Sequence, residues 1–312
     1  MRLFLPGGAG LVGLNLISQL RERHPDWSLL VVDKKAEAVK AGRHLFPEVT
    51  FLCEDLCLTE GVQWPKLMIN CDACVMLQAE IGNTDASQFE RNNIESTKVV
   101  LRQLEHSSIH NLVHISSSVV NSVSHDLYTT SKRRQEELVL NAWPEAVVLR
   151  PTLMFGWFDR KHLGWLARFL RKSPLFPIPG SGRFIRQPLF VKDFCSVIMS
   201  CLEQSQRNGS YDITGLEQIS YLSLMRELRR AVHARSVMIH LPIPLFSFLL
   251  QVWAAISRQP AFTKSQLKAL TAGDEFEVID WPGIFKVTPT PLSEALRIAY
   301  GDSDLARVEI PF

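Results

Sequence analysis

The sequence predicts an α/β fold: a doubly wound parallel sheet with a smaller, mixed cap towards the C terminus. Three observations carry this. Short apolar runs alternate with helical patterns through the first two-thirds of the chain. The runs are continuous Val/Leu/Ile stretches, as in strands buried on both faces of a parallel sheet. The first run, RLFLP, leads into GGAGLVG and then an apolar helical pattern, the strand–turn–helix order that opens such a fold.

Taken in order, strands are predicted at 2–6, 28–33, 49–53, 73–77, 111–117, 146–150 and 210–214. Helices are predicted at 11–23, 35–43, 85–106, 128–141 and 190–205. After Arg150 the texture changes. Residues 151–189 are rich in Pro, Gly, Phe and Trp, and helices without strong strands are expected after Gly215. The expected division is a sheet unit of 1–150 plus about 187–214, and a cap of about 151–186 and 215–312.

The 312 residues allow a sizeable core, and a net charge of +2 is too small to argue for nucleic acid or an anionic membrane. Met1-Arg2 runs straight into the first strand pattern, so no signal peptide and a cytoplasmic setting are expected. Six cysteines in so long a chain are no disulfide framework. CEDLC and CDAC suggest zinc, but Cys53 ends one strand-like run and Cys74 lies inside another. Buried or loop thiols are the plainer reading, and no metal site is expected. Residues 241–257, LPIPLFSFLLQVWAAIS, are shorter than the ~20 residues of a spanning helix. They read as a helix packed in the cap, as a lid over a greasy substrate, or as a surface touching membrane.

Gly7, Gly10 and Gly13 give the spacing GxxGxxG, against the commoner Rossmann GxGxxG. Such glycines let the turn close, let backbone approach a pyrophosphate, and let helix pack on strand. The exposed N–H groups at Leu11 and Val12 then face the phosphates. Asp33 ends the second strand 20 residues after Gly13. A carboxylate there accepts hydrogen bonds from both adenosine ribose hydroxyls and repels a 2′-phosphate, which favours NAD over NADP. Lys34 and Lys35 work against that preference, and Asp33 as a plain helix cap is the alternative.

Tyr128 and Lys132, four apart in YTTSK, share one face of a helix. A free tyrosine with a pKa of about 10 is a poor base. An adjacent ammonium stabilises the phenolate and is expected to pull that pKa down. The preceding strand ends in Ser116-Ser117-Ser118, whose hydroxyls face the ligand crevice of an open sheet and orient the reacting oxygen.

GGAGLVG, Asp33, Asp55-Leu56, LQA (77–79), NNIEST (92–97), HISSS, YTTSK and LRPTLMFG stand in an order that resembles the extended short-chain dehydrogenase/reductase family. More narrowly, the chain is similar to its NAD-dependent epimerase/dehydratase branch, from residue 3 to about 193. The resemblance implies Asp55 and Leu56 near the adenine, with Leu77, Gln78 and Ala79 along the cofactor. It places Lys132 on the nicotinamide ribose and Pro151 beside the nicotinamide, and it counts Asn93 and Ser116 with the cofactor site. It implies Ser118 as the catalytic hydroxyl, with Ser117 second. Arg186 maps onto an arginine that holds a substrate diphosphate, the alternative being a structural salt bridge to Asp193. Glu80, after LQA, joins it as a substrate residue.

Some features depart from the branch. Nine residues (119–127) separate Ser118 from Tyr128, where nucleotide-sugar epimerases carry a longer insertion. RPTLMFG lacks the sugar-contacting Asn. The tail DWPGIFKVTPTPLSEALR resembles a divergent subgroup near the complex I accessory-subunit-like reductases. The implied function is NAD-dependent epimerase or dehydratase chemistry on a small molecule, such as a UDP- or other nucleotide sugar. A reductase of an apolar or lipid-linked alcohol or ketone is one alternative. A non-catalytic NAD(P)-binding assembly or sensor protein is another. The resemblance implies a homodimer joined through 85–106 and 128–141.

Overall fold

The computed structural model describes residues 1–123, 125–204, 208–256, 267, 276–301 and 304–308. The chain begins β1 (Arg2–Pro6), α1 (Leu11–Arg23), β2 (Ser28–Asp33), α2 (Ala36–Leu45), β3 (Thr50–Cys53), α3 (Trp64–Met68), β4 (Ala73–Met76), α4 (Ala86–Phe89). It continues α5 (Ser96–Leu104), β5 (Asn111–Ile115), α6 (Leu127–Ala142), β6 (Val147–Pro151), β7 (Met154–Phe155), α7 (His162–Lys172), β8 (Leu175–Pro179). Then follow β9 (Ile185–Arg186), β10 (Leu189–Phe190), α8 (Val191–Glu203), β11 (Gly209–Ile213), β12 (Ile219–Ser220), α9 (Tyr221–Ala231), β13 (Val237–Leu241), α10 (Ile243–Ile256). Helices α11 (Trp281–Phe285), α12 (Leu292–Tyr300) and α13 (Asp304–Arg307) complete it.

Seven strands form one sheet in the order β11-β6-β5-β4-β1-β2-β3, every pair parallel. The strand order reverses between β1 and β4, so a crevice opens beyond their C-terminal ends. On one face Leu3, Leu5, Val31 and Val75 pack with Leu14 and Ile17 of α1 and Phe194 and Ile198 of α8. On the other, Phe4, Val32 and Met76 pack with Trp64, Val100 and Val139. Each such side chain, once buried, stabilises the fold by about 1.5–3 kcal/mol, which is why the strands read as unbroken apolar runs. Cys71 and Cys74 belong to this second layer, whereas the Cys57 thiol donates to the carbonyl of Arg91.

The single helix expected at 85–106 is interrupted. A π turn over Glu90–Glu95 joins α4 to α5. It places Asn92 on the crevice wall and turns Asn93 behind it towards Ser131, and such turns gather at functional sites.

The cap has its own apolar cluster, which includes Phe155, Phe176, Ile178, Leu224, Leu228 and Leu296. It also holds strands where none was expected: β13 pairs in parallel with β8. Neither reads as a strand alone, because β13 is half-exposed and β8 carries Pro177 and Pro179. A two-stranded pair has edges on which proline costs no ladder bond. Trp281 and Phe285 return to the sheet-side core, where Ser200 donates to the carbonyl of Phe285.

Candidate active site

Each glycine of the first loop does different work. Gly7 has φ +75, and a Cβ there would lie 2.4 Å from Gln78 backbone atoms. At Gly13 it would lie 2.1 Å from the Gly8 carbonyl oxygen, so both positions are closed by packing. At Gly10 a Cβ would meet nothing nearer than the Gly7 oxygen at 3.8 Å; it would project into the cleft instead. Gly10 caps α1 with no side-chain hydrogen bond, and the first turn holds no acidic residue. The N–H groups of Leu11 and Val12 therefore open towards the cleft as an anion cradle. The donor set fits the diphosphate of a dinucleotide.

Asp33, at the end of β2, accepts from the Lys35 N–H at 3.0 Å, and burial raises its carboxyl above the usual range. The Lys34 ammonium is held by Asn92 Oδ1 at 2.7 Å, on the π turn. Burial also pushes Asp55 up, but hydrogen bonds from the Cys57 N–H and from Arg91 at 2.8 Å outweigh it and leave Asp55 below the usual range. Leu56, Leu77, Gln78, Ala79 and Glu80 line the cleft. The Leu77 N–H donates to Pro6 O and continues the sheet. Glu80 accepts from Asn92 Nδ2 at 2.7 Å. Asn93, fully buried, is absent from the cleft lining. It accepts from the Glu80 N–H at 2.6 Å and donates to Ser131 at 2.9 Å, bracing wall against helix.

At the opposite end, Asp126 caps α6 and sets Tyr128 in its first turn. Ser117, the cap of a 3₁₀ turn over Ser118–Asn121, stands beside the phenol. Ser116, Ser117 and Ser118 all line the cleft. The Ser116 hydroxyl is turned to Glu136 Oε2 at 2.5 Å, and Glu136 is paired with Arg150. Lys132 is wholly buried; its Nζ donates to Ile115 O at 3.0 Å and to Gln135 Oε1 at 2.6 Å. Burial pushes the lysine down to about 7, with Glu136 opposing. The tyrosine departs from expectation: burial raises its pKa, and the Ser117 hydroxyl only partly offsets this. The physical reason is that the Lys132 ammonium is engaged by β5 and Gln135, so desolvation dominates at Tyr128. Nearby, burial holds His114 well below the imidazole range, and neither ring nitrogen has a partner among the described residues.

The cleft, about 550 Å³, continues past Pro151, Thr152, Leu153 and Met154 to a wall from the cap. Arg186 stands there on β9. The carboxylate suggested as its alternative partner, Asp193, accepts from the N–H and hydroxyl of Thr290 at 2.8 and 2.7 Å. Sequence reasoning missed the loop before α7. Phe158, at φ +65, leads into Arg160, Lys161 and His162, all on the cleft. Burial, with Arg168 adding, pushes Arg160 down to about 10. Burial also lowers His162; Asp159 opposes, and Lys161 and Arg186 add to the shift. The charged triplet after GWFD was the available signal, and its direction became visible only in the fold.

Residues 3–214 match the model of the NAD dependent epimerase/dehydratase family. Among curated proteins, the chain is 27% identical over 249 residues to a 4-hydroxy-2-methyl-3-oxo-4-farnesyl-3,4-dihydroquinoline-1-oxide ketoreductase of Stigmatella aurantiaca, covering 73% of each. It is 27% identical over 158 residues to the mitochondrial NADH dehydrogenase [ubiquinone] 1 alpha subcomplex subunit 9 of Arabidopsis thaliana. That match covers 50% of this chain and 39% of that protein. Among solved structures, the UDP-glucuronic acid 4-epimerase of Bacillus cereus in complex with NAD superposes with a TM-score of 0.71 at 20% identity, over 98% and 100% of the two chains. The match spans more than half the chain, and the chain belongs to the NAD-dependent epimerase/dehydratase family of extended short-chain dehydrogenases/reductases.

Proposed function

We propose that the chain is a sugar-nucleotide epimerase or dehydratase, working at a hydroxyl-bearing carbon. The observation that carries this is the layout of one continuous cleft. Tyr128, Ser117 and Ser118 line the same cleft as Gly10 and Arg186. Gly7, Gly10, Leu11, Val12 and Gly13 would hold the NAD diphosphate, and Asp33 the adenosine ribose. Asp55 and Leu56 would flank the adenine. Leu77, Gln78, Ala79, Ser116, Lys132 and Pro151 would line the nicotinamide half, with Asn93 bracing that wall from behind. NAD, when bound, supplies the hydride acceptor and donor. Tyr128 takes the proton from the substrate hydroxyl and returns it, Ser117 and Ser118 orient that oxygen, and Arg186 pairs with the substrate diphosphate. Glu80 faces the same cleft. We assign 1–150 plus about 187–214 to the cofactor unit, and about 151–186 and 215–312 to the substrate cap. The separate apolar cluster of the cap supports this division.

The test is incubation with UDP-glucose, UDP-glucuronic acid and UDP-N-acetylglucosamine, with products separated chromatographically. An epimerised or dehydrated product without net NADH formation is expected. Absence of turnover on nucleotide sugars, with NADH consumed on a prenylated or steroid ketone, favours a second reading as a reductase of apolar ketones. The Stigmatella relative and the Ile81, Leu153, Met154 and Phe158 side chains on the cleft support that second reading.

A further inference from the structure

Helix α10 turns an apolar stripe outwards. Leu245, Phe248, Leu249 and Val252 recur at i, i+3, i+4 and i+7, one face of a helix. They are 45%, 60%, 47% and 43% exposed. The inner side, with Phe246 and Leu250, is only half-buried, and Ile243 rests on the turn at Gly180. Leu175 and Val237, register partners in the β8–β13 pair beneath α10, are exposed as well. A contiguous apolar face of this kind on a soluble fold marks a contact surface.

Charge identifies the occupant. Residues 160–192 and 228–256 hold eight and three Arg or Lys and no Asp or Glu; of these, Arg160, Lys161 and Arg186 line the cleft and Arg230 pairs with Glu227. The rest of the chain holds 23 Arg or Lys against 32 Asp or Glu. Lys172, Arg183 and Arg235 are exposed around the stripe: Arg183 in the turn under Ile243, the others just before Leu175 and Val237. A second copy of the chain would set these three cations against their own copies. At 14 residues α10 is too short to cross a bilayer, and no helix among the described residues is long and apolar enough to do so.

We propose that the α10–β8–β13 face of the cap rests on an anionic lipid bilayer. The stripe lies in the interfacial region, and Lys172, Arg183 and Arg235 lie at the headgroups. This rests on the surface alone and not on either substrate reading.

The test is flotation of the full chain with phosphatidylcholine vesicles, with and without about 30% phosphatidylglycerol. Binding at least about tenfold stronger to the anionic vesicles, weakened by salt, is expected. Leu245→Glu/Phe248→Glu abolishes it, and Lys172→Gln/Arg183→Gln/Arg235→Gln removes the preference for anionic lipid. Circular dichroism and NADH fluorescence, unchanged in both variants, confirm that they fold. No flotation of the wild type, or flotation equal in wild type and Leu245→Glu/Phe248→Glu, overturns the proposal. So does a wild-type dimer that the same double variant splits, which would mean that a second copy covers the stripe.

Discussion

The Lys132 ammonium donates to the carbonyl oxygen of Ile115 at 3.0 Å, tying α6 to the last residue of β5. Ser116, Ser117 and Ser118 follow Ile115 directly, and Tyr128 stands one turn before Lys132. That one bond therefore sets the serines and the tyrosine in a common frame. Gln135 extends the tie, donating to Gln78 O at 3.2 Å and Thr97 Oγ1 at 2.9 Å. Side chains locked by such a second layer hold reacting groups to the tolerance that proton transfer demands.

Tyr128→Phe removes the proposed proton-transfer group and keeps the ring. We expect kcat to fall by roughly 10²–10⁴ with the melting temperature unchanged. Ser117→Ala and Ser118→Ala are each expected to lower kcat, because both hydroxyls line the cleft with Tyr128. Steady-state kinetics on the accepted substrate checks both. Wild-type turnover in Tyr128→Phe would remove the tyrosine from the mechanism.

The glycines separate packing from binding. Gly13→Ala forces a Cβ to within 2.1 Å of Gly8 O, and overpacking of this kind costs roughly 1–3 kcal/mol. Gly10→Ala has 3.8 Å of clearance from the protein. Its stability is expected within about 0.5 kcal/mol of wild type, while the new methyl in the cradle weakens NADH binding at least about tenfold. Urea denaturation and NADH fluorescence titration read the two effects separately.

Burial brings Lys132 down to about 7 from an ordinary 10.5. Between those values the unfolded chain binds more protons than the folded one, so this group makes stability rise with pH. The burial penalty is full below about 7 and disappears above the unfolded value. Relative to Lys132→Met, the wild type should therefore gain stability from pH 7 to pH 9. Denaturant melts of both proteins across that range check it; a constant difference would contradict a depressed lysine.

Arg186→Gln keeps a polar side chain but removes the bidentate cation. For a nucleotide-sugar substrate we expect KM to rise at least about tenfold. On an uncharged ketone the same variant is expected to leave KM within about twofold. Kinetics on both substrate classes distinguishes the two readings of the cleft.

Much of the proposed cofactor half was legible in the sequence because its requirements are local. Gly7, Gly10 and Gly13 answer to a turn and a helix start within a few residues of themselves, and Asp33 to the end of its own strand. The 3.6-residue repeat already put Tyr128 and Lys132 on one helix face. The proposed substrate half was not legible in the same way. Arg160, Lys161 and His162 read as an ordinary charged loop until the cap turned them onto the cleft. β8 and β13 show no strand pattern until each has the other. Asn93 carries a motif position yet points away from the cleft, because the π turn rotates it towards Ser131.

The sequence by itself determined the parallel sheet, the position of the crevice and the glycine turn at the start of α1, since burial pattern and backbone conformation are written residue by residue. Only the tertiary structure decided where the Lys132 charge goes. It also decided which way the apolar face of α10 looks. Those outcomes depend on desolvation and on partners far apart in the chain, and neither quantity exists until the elements have packed.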